Sequence, residues 1–388
     1  MQGNMLGVYG DWASQIVRDS AGRSSFRHAN RRDVDQWRRE ARQRFRELLL
    51  QPDEPCVPEA TVERRLKSDG LEIEWLRWQL PYGPPTEAVF LKPEGATGPL
   101  PGVLALHDHG AVKFFGWEKI ARLGLDQHPL MDAHQRQYYG GQAWANQLAK
   151  RGYAVLAHDA FAFGSRRVRL RDIPPVVREQ LGVADVEEVR RESLEDIRRY
   201  EAFAAQHEHI MAKSLLCAGT TWPGVFTYED QRALDYLCSR PEVDSQRLGC
   251  CGLSGGGLRT VYLAGLEDRI ACACCVGMMT TWRDYLLHTS YTHTWMIYVP
   301  GLPREMDYPE ILSLMAPKPV LVLNNEQDEL FTLDEMKQAD RILQTVYRKA
   351  DASGRYRCLF YPGPHKFDCA MQTAAFQFFD RHLRTDAA

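Results

Sequence analysis

Leu248-Gly-Cys-Cys-Gly-Leu-Ser-Gly-Gly-Gly257 is the stretch from which the rest of the chain is read. Its first four residues form a short apolar run of the kind buried in a strand, and Leu258-Arg-Thr-Val-Tyr-Leu-Ala-Gly265 continues as a helix. Between them Gly252-Leu-Ser-Gly-Gly256 fits G-x-S-x-G, a serine at a sharp strand-to-helix turn. Such a turn holds Ser254 in a strained backbone conformation, and a Cβ on the flanking glycines would strike the neighbouring strand and helix. The pattern alone is frequent. Its meaning depends on what the other strands deliver.

A serine hydroxyl becomes a nucleophile when a base takes its proton, and the base needs a carboxylate to fix its tautomer. Residues 319–323 read as a buried strand that opens into Asn324-Asn-Glu-Gln-Asp328, which makes Asp328 the best-placed acid, with Glu326 and Asp334 as fallbacks. The last strand, 357–361, runs into Tyr361-Pro-Gly-Pro-His365, a turn that projects His365 beyond a strand end. An oxyanion formed at Ser254 also needs two backbone N–H donors. Gly255 is the first of these, and His109 in His107-Asp-His-Gly110, after the strand at 102–106, is the second, with Gly110 as the alternative.

The 388 residues are enough for one large α/β domain with insertions or for two domains. A net charge of -3 argues against a nucleic-acid surface, and no apolar run approaches the ~18 residues of a membrane span. The first residues lack the basic-then-apolar order of a secretory signal, and Asp33-Val-Asp-Gln follows Arg31-Arg32 where a twin-arginine signal would turn apolar. Adjacent strand cysteines such as Cys250 and Cys251 point to opposite faces and are no natural bridge. These features together predict a reduced, cytoplasmic protein.

Taken in order, residues 1–60 form a helical arm in which Trp37, Ala41, Phe45 and Leu48 recur at helical spacing, with arginines on a solvated face. Residues 61–80 form two strands around a Ser68-Asp-Gly70 turn, and 87–92 a third. Buried strands at 102–106, 153–157, 248–251 and 270–276 alternate with helices at 141–151 and 228–239. That succession predicts a doubly wound, mostly parallel sheet over 61–388, with polar loops at the carboxyl ends of its strands. Residues 165–217 show no buried strand and read as a helical insertion, either a cap or an oligomer contact.

His107, Asp108 and His109, or His207-Glu-His209, lack the paired spacing of a dependable metal site, so no metal is expected. Aromatic residues after strand ends suit a substrate pocket, which nominates Trp117, Trp222 and Trp295 from the aromatic-rich stretches around them. Arg166, Arg167, Arg169 and Arg171 suit a solvated face better than an anion site.

The chain resembles the α/β-hydrolase superfamily, and more narrowly the bacterial dienelactone-hydrolase and acetyl-xylan-esterase-like group. The resemblance rests on Leu104-Ala-Leu-His-Asp-His-Gly110, Asp159-Ala-Phe-Ala-Phe-Gly164, Arg240-Pro-Glu-Val-Asp244, Gly252-Leu-Ser-Gly-Gly256, Asn325-Glu-Gln-Asp328 and Gly363-Pro-His365. It implies hydrolysis of a small-molecule ester by Ser254, His365 and Asp328 without a cofactor. Carbohydrate deacetylases of that group carry R-G-Q and G-G-S-Q-G where this chain has Phe161-Ala-Phe-Gly164 and Gly-Leu-Ser-Gly-Gly. The alternatives are amide cleavage of the prolyl-oligopeptidase type and a non-catalytic binding protein on the same fold.

Overall fold

In the computed structural model, residues 4–17, 21–52, 57–124, 126–186 and 188–384 are described. After helices α1 (Gly10–Val17) and α2 (Val34–Leu49) come strands β1 (Thr61–Ser68), β2 (Leu71–Trp78), β3 (Thr86–Pro93) and β4 (Leu100–Leu106). Helices α3 (Pro129–Tyr139) and α4 (Trp144–Lys150) lead to β5 (Ala154–His158), and α5 (Pro175–Gln180), α6 (Leu194–Cys217) and α7 (Trp222–Ser239) to β6 (Val243–Leu253). Then follow α8 (Gly255–Leu266), β7 (Ile270–Val276), the short helices α9 (Trp282–Asp284), α10 (Leu302–Glu305) and α11 (Tyr308–Ser313), and β8 (Val320–Asn325). Helix α12 (Leu333–Lys349), β9 (Tyr356–Tyr361) and α13 (Cys369–Leu383) close the chain.

The nine strands make one sheet in the order β1-β2-β3-β5-β4-β6-β7-β8-β9. The first three are antiparallel, β3 meets β5 antiparallel, and every later pairing is parallel. This is the mostly parallel sheet that the apolar runs predict. The central strands are covered on both faces and are apolar except for His158 at the end of β5. Outer strand β1 instead carries Glu63, Arg64, Arg65 and Lys67, charges that discourage a second sheet from adding there. One face of the sheet is covered by α2, α7, α8, α11 and α12, through residues such as Phe45, Leu234, Val261, Ile311 and Leu343. On the other, α4 and α13 contribute Trp144, Leu148, Phe376 and Phe379.

Helix α2 buries Trp37, Ala41, Phe45 and Leu49, and Asp33 caps it by accepting from the N–H groups of Asp35 and Gln36. Arg39 and Arg46 are exposed as expected, and Arg42 departs from that solvated face. Arg42 is buried and donates to Gly265 O at 2.7 Å, and Arg46 donates to Leu266 O at 3.1 Å. Both therefore satisfy carbonyls in the last turn of α8, the helix that Ser254 begins.

Other differences have local causes. Helix α7 starts at Trp222, ahead of the expected 228, because Thr221 caps it and Pro223 fits its first turn. Helices α3 and α12 are additional to the expected elements, and Met336, Ala339, Leu343 and Val346 bury one face of α12. Among the described residues nine cysteines are free. No described helix is long and apolar enough to cross a membrane.

Phe45 is fully buried and meets the Tyr262 ring edge-on, with centroids 5.3 Å apart. Phe45→Ala is expected to destabilise the protein by about 3–5 kcal/mol in a denaturant titration. A loss under about 1 kcal/mol would mean that α2 does not share the main core.

Candidate active site

The carboxyl ends of the parallel strands place six polar segments along one edge of the sheet, as expected for such topology. At the end of β6, Ser254 has φ 57° and ψ -120°, a conformation L residues avoid. Its N–H donates to Val276 O at 2.9 Å, and its O accepts from Leu258 N at 2.8 Å, so both neighbouring elements hold the strain. A Cβ on Gly256 would stand 2.1 Å from Leu106 O, which makes glycine obligatory there. Although Ser254 occupies the N-cap of α8, its hydroxyl does not cap that helix. Ser254 lines a cavity.

Asp328, just past β8, is buried, whereas the fallback acids Glu326 and Asp334 are exposed. Asp328 Oδ1 accepts from Leu330 N at 3.0 Å, and Oδ2 accepts from His365 Nδ1 at 2.6 Å. A proton on Nδ1 leaves the lone pair on His365 Nε2, which is buried with no hydrogen-bond partner in the protein. Ser254 and His365 are not hydrogen-bonded to each other, but both line one cavity of about 240 Å³. Gly277, after β7, lies against the His365 ring with φ +56°, and a Cβ there would stand 2.9 Å from Cε1.

The loop after β4 borders the same cavity through Asp108, His109, Gly110 and Ala111. A Cβ on Gly255 would stand 2.8 Å from His109 N, so the two expected oxyanion donors are immediate neighbours. The Asp108 carboxylate points into the protein, where it accepts from the Tyr139 hydroxyl and from His134 Nε2. Burial opposes its ionisation, but His134, Lys119 and Tyr139 hold its carboxyl far below the usual range.

The insertion braces this loop. Glu201 of α6 accepts from Lys113 N and Phe114 N at 2.7 and 2.8 Å. Glu208 pairs with Lys113 Nζ at 2.5 Å and accepts from His109 Nε2 at 2.9 Å. Burial lowers the His109 pKa, against the opposing pull of Glu208. Phe114, Phe115 and Met131 pack with Leu170, Ile197, Tyr200 and Phe203 in a separate apolar cluster.

The cavity's far wall comes from another segment. Met278, Thr292, His293, Thr294, Met296, Ile297 and Leu330 line it, five of them from the aromatic-rich stretch. Trp117, Trp222 and Trp295, the residues expected there, do not line this cavity. Trp117 and Trp222 are buried in the two sheet-face cores, and Trp295 is 41% exposed between two lining residues. His293 Nε2 donates to Leu330 O at 2.9 Å, and burial brings its pKa down to about 4, leaving the ring neutral. Arg166 is not solvated either: it is buried, with NH2 2.5 Å from Glu229 Oε1. Among the described residues no three His, Cys, Asp or Glu side chains converge as a metal site.

The chain resembles known proteins in sequence and in fold. The model of the prolyl oligopeptidase family matches residues 213–363, under half of the chain. The Bacillus subtilis (strain 168) protein described as "Putative hydrolase YtaP" is 27% identical over 345 residues, spanning 88% of this chain and 98% of its own. A crystal structure described as a "putative acetyl xylan esterase" from Bacteroides fragilis superposes with TM-score 0.68 at 16% identity, covering 92% of this chain and 83% of that one. A glucuronoyl esterase from Solibacter usitatus superposes with TM-score 0.59 at 15% identity, covering 91% and 92%. The chain has the α/β-hydrolase fold. It is an enzyme of the serine hydrolase type.

In this hydrolase Gly277 is a sensitive position that the sequence pattern did not mark. Gly277→Ala is expected to lower kcat/KM for a chromogenic ester about 10- to 100-fold, because it displaces His365 by a fraction of an ångström. Unchanged kinetics with a folded variant would show that the ring has room to move.

Proposed function

We propose that the protein is a carboxylic-ester hydrolase working through an acyl-enzyme on Ser254. The observation that carries this reading is the 2.6 Å His365–Asp328 contact, with His365 Nε2 unpartnered in the cavity that Ser254 also lines. In the first step His365 Nε2 takes the hydroxyl proton as Ser254 Oγ bonds to the ester carbonyl carbon. The carbonyl electrons move onto oxygen, which the N–H groups of Gly255 and His109 stabilise. Collapse breaks the C–O bond, and His365 returns the proton to the leaving alcohol. Water, deprotonated by the same nitrogen, then releases the acid. Asp328 holds the histidine in the tautomer that both steps need.

The cavity also bears on the substrate. Leu253, Leu258, Met278, Met296, Ile297 and Leu330 give it apolar walls, and neither lysine nor arginine lines it. Such walls favour a small uncharged ester with an apolar acyl or alcohol group over one bearing a carboxylate beside the scissile bond. A carbohydrate ester fits only where the sugar extends out of the cavity.

The match to the prolyl oligopeptidase family supports amide cleavage as the second reading. A panel of p-nitrophenyl esters of increasing acyl length, run beside dipeptidyl p-nitroanilides, separates the two. Faster turnover of short uncharged esters is expected. Ser254→Ala is expected to lower kcat on p-nitrophenyl acetate by about 10³-fold or more, and retention of most activity would sink the assignment.

A further inference from the structure

We infer that Lys119 is a positioning residue for the oxyanion hole, its buried ammonium gripping two loop carbonyls so that the His109 N–H is aimed and polarised toward the reacting oxygen. This rests on the reading of Ser254 and His109 given above.

Lys119 ends a single 3-10 turn, Trp117–Lys119, anchored where Asp159 Oδ1 accepts from Trp117 N at 2.8 Å. The side chain is wholly buried. Its Nζ donates to Asp108 O and to His109 O, both at 2.8 Å, and lies 4.7 Å from the Phe163 ring centre. Asp108 C=O and His109 N–H belong to one planar trans peptide, so they point in opposite directions. Drawing that carbonyl toward Lys119 turns the N–H to the reverse side. There His109 N lies 2.8 Å from where a Gly255 Cβ would stand, beside the nucleophile. The next peptide is held in the same way through His109 O.

The arrangement is costly if it is only structural. A buried ammonium usually contacts a carboxylate, yet among the described residues Lys119 has no ion pair within 4.0 Å. Asp108 spends its carboxylate on His134 and Tyr139. The charged groups facing Lys119 at longer range are Asp108, Glu201 and Asp159, with Lys113 opposing them. Lys119 in turn disfavours charge on His107 and His109. A methionine would fill this volume without the cost of burying charge. What it could not supply is a positive charge behind the donor peptide.

Burial lowers the Lys119 pKa to about 8, opposed by Asp108, Glu201 and Asp159. Its charge is therefore present below that pH and is lost as pH rises through it. Across the peptide the ammonium stands about 8 Å from the oxyanion, and at an effective dielectric near 20 that charge is worth about thirtyfold in rate.

The test compares wild type, Lys119→Met and Ser254→Ala on p-nitrophenyl acetate from about pH 7 to about pH 10, with folding checked by circular dichroism and activity rechecked after return to neutral pH. Wild type is expected to show a reversible fall in kcat with an apparent pKa of about 8. A folded Lys119→Met is expected to lose about thirtyfold in kcat, with KM changed under about twofold, and to lack the alkaline fall. An unchanged kcat, or an alkaline fall that persists in the variant, overturns the role of Lys119. Inactive Ser254→Ala beside such a result would leave the nucleophile standing and reject only Lys119. Should Lys119→Met fail to fold, the wild-type profile decides: kcat that stays flat across this range overturns the inference.

Discussion

The site depends on a backbone-on-backbone contact at the end of β6. Leu106 O lies where a Cβ on Gly252 or Gly256 would have to stand, at 2.4 and 2.1 Å respectively. This close approach lets β4 and α8 meet around the turn that holds Ser254 at positive φ. It also fixes the distance between the turn and the loop that leaves β4, which brings His109 N beside Gly255. Two glycines thus couple the strained serine to the backbone of His109, nearly 150 positions earlier in the sequence.

The surroundings of that contact divide the remaining work. The loop after β4 is gripped from below by Lys119 and by the Asp108–His134–Tyr139 cluster, and from outside by Glu201 and Glu208 of α6. The insertion at 165–217 therefore acts as a brace for this loop, and the cavity wall opposite comes from residues 278–297. Asp284, buried, accepts from Thr332 N at 3.1 Å and so links that wall to the loop that carries Asp328. The far cavity wall and the brace of the β4 loop are separate parts of the chain.

Much of this was legible in the sequence because it is written in local patterns. Apolar runs at 102–106, 270–276 and 319–323 gave the parallel sheet, and each ends in the polar segment that a strand's carboxyl end should carry. Ser254, Asp328 and His365 could be nominated because their order along the chain follows the order of those strands. What stayed hidden depends on contacts between distant segments. The tryptophans 117 and 222 look like pocket residues by position, but helix starts and turns fold them into the cores. Arg42 and Arg166 look solvated by composition, yet they serve Gly265 O and Glu229. No periodicity reveals that Lys119 reaches back to two carbonyls, since a lysine after a tryptophan turn is unremarkable in sequence.

The central claim is that Ser254 is a reactive nucleophile. Reaction with a fluorophosphonate, followed by tryptic mass spectrometry, tests it most directly, because cleavage after Arg247 and Arg259 isolates residues 248–259 with Ser254 as their only serine. The account predicts one label per chain, on that peptide, absent from Ser254→Ala. No label on the folded protein, or a label on another peptide, would contradict it.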